Sequence, residues 1–477
     1  MTAEKLEQQL AEIVGADNVI PKEIAQQNYA HDQYWYAIAA ANAGEPLSRP
    51  DVAVRPKNTK EVAAIVKLAN KIDVPITPWG GGSGVQGAAN ADEGGIVMDL
   101  RAMNAIRSID KKSLICVVEA GKNVKEFEEE LNQSELAFTH YPASAEWATI
   151  GGCVAARGSG VLSTKYGKIE EHILSVEFVT PTGDIVQTPN VPRHAAGPEI
   201  TQLHVGAEGV FGIVTAVTVK LQFMPKARQF AVFAFDNLKD GIEAGRQIMT
   251  TGLKPPVIRL YDVHGASTSL ARATETEFTT PIMVMMFDGY YPEMVKIETE
   301  VASRICQAQN GTELSPSIGD MWWNKRYAFY HPPFSPQLPS IWGTVDVVST
   351  FDCIEAVYDM TTQAIRDAAP PEYKVSLNTH FSHWYEWGTM IYARMKVEKG
   401  PDNLTEAKAL HDQIFYAGLE AALAAGAVMN DHHGVGLRLA PYMNAQYGAG
   451  MTMLKQIKHG LDPKNILCPG KLGLPKR

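Results

Sequence analysis

The chain has 477 residues, a net charge of −10 at neutral pH, and ordinary globular shares of apolar (45%) and charged (20%) residues. This length is enough for two or three domains with full cores. The acidic balance, without any basic stripe, argues against nucleic acid and anionic membrane as partners, and no apolar run reaches the roughly eighteen residues of a membrane span. The polar, amphipathic start lacks the plan of a secretory signal, and the ending Leu-Pro-Lys-Arg is not a peroxisomal address. Five scattered cysteines (Cys116, Cys153, Cys306, Cys353, Cys468) form no CxxC pair. Reduced thiols and a cytoplasmic location are expected.

Lys5 to Ile13 is predicted helical, with Leu6, Leu10 and Ile13 on one face. A short helix over Lys22 to Gln27 leads to an aromatic segment, Tyr29 to Tyr36. Asp51 to Arg55 reads as a strand ended by Pro56. Asn58 or Thr59 caps a helix to Lys71. The strand Val74 to Thr77 then delivers Trp79-Gly80-Gly81-Gly82-Ser83-Gly84-Val85-Gln86-Gly87. Consecutive amides in so glycine-rich a loop form a nest for an anion. No Lys-Ser/Thr follows and no helix opens behind it, so it is neither a P-loop nor a dinucleotide fingerprint. By itself it is equally a surface turn.

Gly95 to Leu100, Ala105 to Asp110 and Ser113 to Glu119 are predicted strands, and Asn123 begins a helix to Leu131. Tyr141 to Gly152 is a second glycine-bearing segment, leading into a helix Cys153 to Arg157. A hairpin joins Ile173–Thr180 to Asp184–Thr188, and Ala207 to Val214 is a third glycine turn before a strand, Thr215 to Phe223. Beyond Gln229 strands and helices alternate. Strands are expected over Phe230–Phe235, Pro256–Tyr261, Pro281–Phe287, Trp342–Ser349, Tyr373–His380 and Gly388–Val397. Helices are expected over Leu238–Thr250, Tyr291–Ala308, Asp352–Ala369 and Leu404–Ala424. This implies an α+β domain, an antiparallel sheet with helices on one face. Tyr330 to Pro339 reads as a proline-rich loop.

Residues 50 to 223 resemble the FAD-binding domain of the vanillyl-alcohol-oxidase type (PCMH-type) flavoproteins. The motifs that carry this are Arg55-Pro56, Gly80 to Gly84, Asp99-Leu100, Pro142-Ala143-Ser144 to Gly151-Gly152, Tyr166-Gly167, and Glu208-Gly209 to Thr215. Asp462 to Lys471 resembles the family's C-terminal return to the flavin, with Cys468 where an Asn is usual. Val257 to Asp262, Gly388 to Tyr392 and Asp431-His432-His433-Gly434-Val435-Gly436 are similar to the branch holding alkylglycerone-phosphate synthases and D-2-hydroxyacid dehydrogenases. The synthases have an arginine at His380 and a third histidine at Asp431.

The resemblance implies a two-subdomain FAD domain (49–225) preceded by a helical segment (1–48), followed by an α+β substrate (cap) domain (226–425) and a C-terminal return (426–477). It assigns the FAD diphosphate to Trp79, Gly80, Gly81, Gly82, Ser83, Gly84 and Gln86. Pro142, Ser144, Thr149, Gly151, Gly152 and Ala156 would meet the ring system and diphosphate. Gly209, Gly212 and Val214 would meet adenine and the ring edge, and Lys471 the flavin or the pocket rim. Some of these glycines are equally explained by helix packing. The loop has no histidine, so the FAD is expected to be noncovalent.

His433 and His432 are the leading candidates for catalytic base, one ring on each side of an extended backbone. Tyr392 is second, and Asp431 either orients an imidazole or caps a turn. Arg259 suits a carboxylate or phosphate, or a structural ion pair, and His380 joins the candidate site. A metal on His380, His383, His432 and His433 is conceivable, but none is expected. Trp322, Trp323, Tyr327, Tyr330, Phe334, Trp342, Trp384, Tyr385 and Trp387 either line a pocket or fill a core.

The expected function is an FAD-dependent oxidoreductase that moves a hydride from a hydroxylated small molecule to flavin N5. The substrate would be a D-2-hydroxy acid or an apolar alcohol. Oxygen, a quinone or an electron-transfer protein would accept the electrons, and a homo-oligomer is expected. The alternatives are a non-redox transferase like the glycerone-phosphate synthases, and an electron-transfer subunit, which would be poor in aromatics.

Overall fold

The computed structural model describes residues 3–191, 193–327 and 337–477. The chain divides into two units. The first comprises Met1–Ser159, Lys168–Gln222 and His432–Arg477, and the second Gly160–Gly167 and Phe223–Asp431.

In the first unit a four-stranded sheet runs in the order Val19–Ile20, Val52–Val54, Ile96–Asp99, Ile76–Trp79. The last three are mutually parallel, with Ile96–Asp99 in the middle. The crossover helix Thr59–Ile72 starts where expected: Asn58 Oδ1 accepts from the Glu61 amide at 3.0 Å, and Glu61 reaches back to the Lys57 amide. Val62, Ile65, Val66 and Ala69 face inward and pack with Leu6 and Leu10 of the helix Ala3–Val14. The returning C-terminus adds to the edge strand: Ile76 N donates to Ile466 O at 2.7 Å and Cys468 N to Ile76 O at 2.9 Å. A second, antiparallel sheet runs Ile106–Asp110, Ile115–Glu119, Ile213–Lys220, Ile173–Val179, Ile185–Gln187.

The second unit is built on one eight-stranded antiparallel sheet. Its order is Thr312–Leu314, Ala227–Ala234, Ile282–Gly289, Val257–Tyr261, Val375–Phe381, Gly388–Val397, Ile341–Thr350, Val428–Met429. On one face Leu260 meets the helix Leu238–Thr250 at Gly241, and Val345 meets Leu404–Ala424 at Gly418. On the opposite face the helix Ser317–Lys325 packs through Gly319 onto Phe230. Gly160–Gly167 falls in this unit, although the sequence places it in 49–225. Lys165 and Tyr166 both bond Asp288, and Trp384 N donates to Thr164 Oγ1.

Several expected elements change. The aromatic segment passes into a helix, Trp35–Asn42. Gly151 and Gly152 lie inside a helix, Ile150–Ala156, that begins at the cap Thr149 rather than at Cys153. The long strand starts at Ile213, so Val214 belongs to it. Ser317–Lys325, which carries Trp322 and Trp323, and Gly450–Leu461 are helices where no element was expected. Residues 328–336, which hold Tyr330, Phe334 and most of the expected proline-rich loop, lie outside the described residues.

Candidate functional site

The first unit gathers the glycine segments. A Cβ on Gly80 would lie 2.4 Å from Thr149 Oγ1, and one on Gly81 only 1.7 Å from Trp147 O. Gly82, at φ +64°, lies under the Trp79 ring. The loop thus packs backbone-to-backbone against Trp147–Thr149, which follows the turn where Trp147 N and Ala148 N donate to Ser144 O and Ala145 N to Pro142 O. Trp79 is buried and meets Tyr29 edge-on at 5.1 Å. Gly151 abuts Ala120, Gly209 lies against Cys468 and Pro78, and Gly212 against Phe178 and His204. The missing side chains at these last three positions serve packing within the protein. Val214 is half-buried and packs on the core of the second sheet.

A diphosphate-bearing group fits this loop. Among the described residues, the amides of Gly80 through Val85 donate to no protein acceptor. Gln86 is buried with its Oε1 unpartnered. A run of free donors beside an orphaned amide suits an anionic group that also carries polar ring edges.

The tandem-histidine loop docks on the same segments. Leu437 N and Arg438 N both donate to Gln86 O, at 2.8 and 3.1 Å. Glu208 accepts from Val435 N at 2.6 Å and from Gly436 N at 2.9 Å. Gly434 lies against Ala156. The two rings are not on opposite sides of an extended backbone, as the sequence suggests. The chain bends there, and the His432 and His433 ring centroids stand 4.0 Å apart. Lys471 is buried and does not extend to a rim: its Nζ binds Asn90 O at 2.7 Å and the Asp92 carboxylate. Two buried acids lie in its field. Burial pushes Asp32 up to about 6 and Glu208 up to about 7, and Lys471 opposes both shifts.

In the second unit, Tyr261, His380, Tyr392 and Asp346 stand directly opposite one another on four successive strands. Directly paired residues share a face, so the row lies on the face away from Leu260 and Val345. The His380 and Tyr392 rings stack at 4.8 Å, and Tyr261 accepts from Trp322 Nε1 at 2.9 Å. Arg259, two residues from Tyr261, lies over the Trp322 ring at 5.4 Å. Asp431 binds His383 Nδ1 and Tyr385 Oη, each at 2.8 Å, and its amide donates to Asp346. The aromatics do not form one wall. Trp384 and Trp322 are core, Trp323 lies between Arg228 and Arg326, Trp342 meets Arg394, and Trp387 is exposed against Tyr385.

Glu208, Asp32 and Asp346 are absent from the sequence-derived site. The Glu208-Gly209 motif is visible in the chain, but what its carboxylate grips is set by a loop more than two hundred residues away.

The profile of FAD linked oxidases, C-terminal domain, matches residues 224–472, and that of an FAD binding domain matches 50–189. An uncharacterized FAD-linked oxidoreductase, YgcU of Escherichia coli K12, is 27% identical over 97% of both chains. The alkyldihydroxyacetonephosphate synthase of Trypanosoma brucei brucei is 28% identical over 89% of this chain and 73% of its own. The mitochondrial D-lactate dehydrogenase [cytochrome] of Arabidopsis thaliana is 26% identical over 97% and 82%. Among solved structures, an alkyldihydroxyacetonephosphate synthase aligns with a TM-score of 0.80 at 23% identity, covering 98% of this chain and 85% of that one. A p-cresol methylhydroxylase aligns with a TM-score of 0.78 at 19% identity, covering 99% and 97%. These structures carry the fold: a PCMH-type α+β architecture.

Proposed function

The chain belongs to the FAD-linked oxidases, and from that premise we propose that it oxidises a hydroxylated small molecule, a D-2-hydroxy acid or an alcohol with an apolar group. FAD is its cofactor. One observation carries the reading: the loop bearing His432 and His433 is fastened to Gln86, at the end of the glycine loop. A titratable base and the diphosphate cradle thus belong to one local framework.

Gly80 to Gly84, with Ser83 as hydroxyl donor and Gln86 beyond, hold the diphosphate. Pro142, Ser144, Thr149, Gly152 and Ala156 border the cofactor. Lys471 acts indirectly, by fixing Asn90 and Asp92. Bound FAD supplies the hydride acceptor. His433 takes the hydroxyl proton as general base. His432 packs on His433 and limits its orientations. Arg259 offers a fork for a carboxylate. Tyr392, stacked on His380, is the second candidate for the proton.

Anaerobic mixing with D-lactate, glycolate, mandelate and benzylic alcohols tests this reading. One of them should bleach the visible flavin band, and His433→Ala should keep its flavin while slowing bleaching by about 10²- to 10⁴-fold. Bleaching by none of the panel refutes the dehydrogenase reading. The flavin is proposed to be noncovalent, since Trp79 to Gly87 contains no histidine. Acid precipitation should leave it in the supernatant.

The synthase relatives favour a second reading, ester-for-ether exchange on an acyl-glycerone phosphate. Consumption of that ester together with a fatty alcohol, without net flavin reduction, would identify it. Against it, the resemblance implies an arginine and a third histidine in the synthases where this chain has His380 and Asp431.

A further inference from the structure

Glu208 is buried, at 6% exposure, in a conformation that needs a reason. Its backbone has φ +49°, the left-handed region that a glutamate seldom adopts. Its amide donates to Ala155 O at 3.1 Å, which fixes it against the end of the helix Ile150–Ala156. From there the carboxylate reaches the tandem-histidine loop. Oε1 accepts from Val435 N and Gly436 N, and Oε2 also accepts from Gly436 N at 2.9 Å. Gly434 leaves room for this contact: a Cβ there would lie 2.5 Å from Glu208 Oε1. Gly436 is equally committed, since its Cβ would meet Gln86 O at 2.1 Å. Two of the grips on the loop are the Glu208 carboxylate and the Gln86 carbonyl. Only the first depends on a side chain.

We propose that Glu208 is the positioning residue of the tandem-histidine loop, holding the His433 imidazole in place through the Val435 and Gly436 amides. The proposal rests on the reading of His433 as base. Removing the carboxylate removes its bonds to both amides, and a loop that has lost one of its anchors samples more orientations. Lys471, Asp32 and Cys468 face the carboxylate from three other parts of the unit. Of these only Lys471 is a cation, and its ammonium is already bound to Asp92. Among the described residues, Glu208 thus grips the loop without a direct counter-ion.

Two variants separate the grip from the charge. Glu208→Ala removes both acceptors. Glu208→Gln keeps Oε1 as acceptor for both amides and loses only the second acceptance from Gly436 N, so it retains most of the grip. The first readout is hydrogen exchange in the flavin-loaded protein, followed on peptides spanning 430–440. Glu208→Ala should speed exchange there by at least about tenfold, the equivalent of one lost net hydrogen bond, and Glu208→Gln should restore protection. The second is flavin reduction by the substrate found for the wild type. The alanine variant should lose about 10²-fold in kcat with little change in KM, as expected for a displaced base, and the glutamine variant should recover most of it.

Unchanged exchange at 430–440 in Glu208→Ala overturns the proposal, as does failure of glutamine to rescue. If the alanine variant does not fold, Gly434→Ala drives a methyl into the Glu208 carboxylate and must raise the same local exchange; protection as in the wild type then overturns the proposal. If no substrate reduces the wild type, the dehydrogenase reading falls, while the exchange measurement still decides whether Glu208 holds the loop.

Discussion

Asp32 is wholly buried beside the glycine loop: Gly84 O accepts from the neighbouring Gln33 amide, and Asp32 Oδ1 accepts from Tyr34 N at 3.0 Å. Burial raises its carboxyl from 3.8 to about 6, with the amides of Tyr34, Gly87 and Ala89 and the Lys471 charge working against the rise. The folded value lies above the unfolded one, so the fold binds this proton more tightly. Its stabilising contribution is complete below about pH 4 and lost as pH rises through 6. Two pK units correspond to about 3 kcal/mol. Asp32→Asn keeps the Oδ1 acceptor and does not titrate. It should therefore gain on the wild type between pH 4.5 and pH 8, by about 2 kcal/mol in urea unfolding. Parallel pH profiles for the two proteins would sink the idea. His204 works in the opposite direction. Buried against Phe178, it is pushed down to about 4 and stays neutral in the fold. Its contribution is present above about 6.5 and lost as pH falls through 4, so His204→Phe should flatten the acid limb.

At the scale of elements, legibility followed locality. The helices beginning after Asn58, Asn123, Asn237 and Asn403 could all be read in the chain, because each cap binds an amide two or three residues on. Six of the eight strands of the second unit's sheet were legible, and the two short ones at its edges, Thr312–Leu314 and Val428–Met429, were not. The helix Trp35–Asn42 was not, since its residues are almost all apolar and show no periodicity. Nor was Ser317–Lys325, which follows Pro316 and has no side-chain cap. The candidate site divides in the same way. The glycine loop and the histidine pair are visible as residue types. What the glycines meet, and the bend that brings the two rings together, depend on distant chain.

Gly81 tests this. Its missing side chain is required by Trp147 O, and an added methyl has no flexible neighbour to displace. Gly81→Ala should push the loop off Trp147–Thr149 and cost flavin binding, read as colourless protein after purification. Gly152→Ala, whose Cβ would meet only Thr149 Oγ1 at 3.2 Å, should be milder. Equal flavin content in the two variants would show that the close approach at Gly81 is not needed.

Over the whole molecule, neither unit is one continuous stretch of chain. The second borrows Gly160–Gly167 from the middle of the first, and chemistry explains the loan. Asp288 is buried at the end of the strand Ile282–Gly289, where it pairs in register with Arg228. Its carboxylate accepts from Tyr166 Oη at 2.6 Å and Lys165 Nζ at 3.3 Å, and its carbonyl accepts from Lys165 as well. Burial and the adjacent carboxylate raise the Tyr166 phenol well above its usual value, so it remains a donor at every physiological pH. Tyr166→Phe leaves a buried carboxylate short of one donor, which costs about 1.5–3 kcal/mol. Five of the eight tryptophans (Trp322, Trp323, Trp342, Trp384, Trp387) belong to the second unit, so tryptophan fluorescence reports on it. The urea midpoint by that probe should fall for Tyr166→Phe and recover in part for Tyr166→Phe with Asp288→Asn, which removes the stranded charge. A midpoint unchanged in the single variant would mean that the borrowed segment is held by Val161, Leu162 and the Thr164–Trp384 bond instead, with Asp288 solvated by other means.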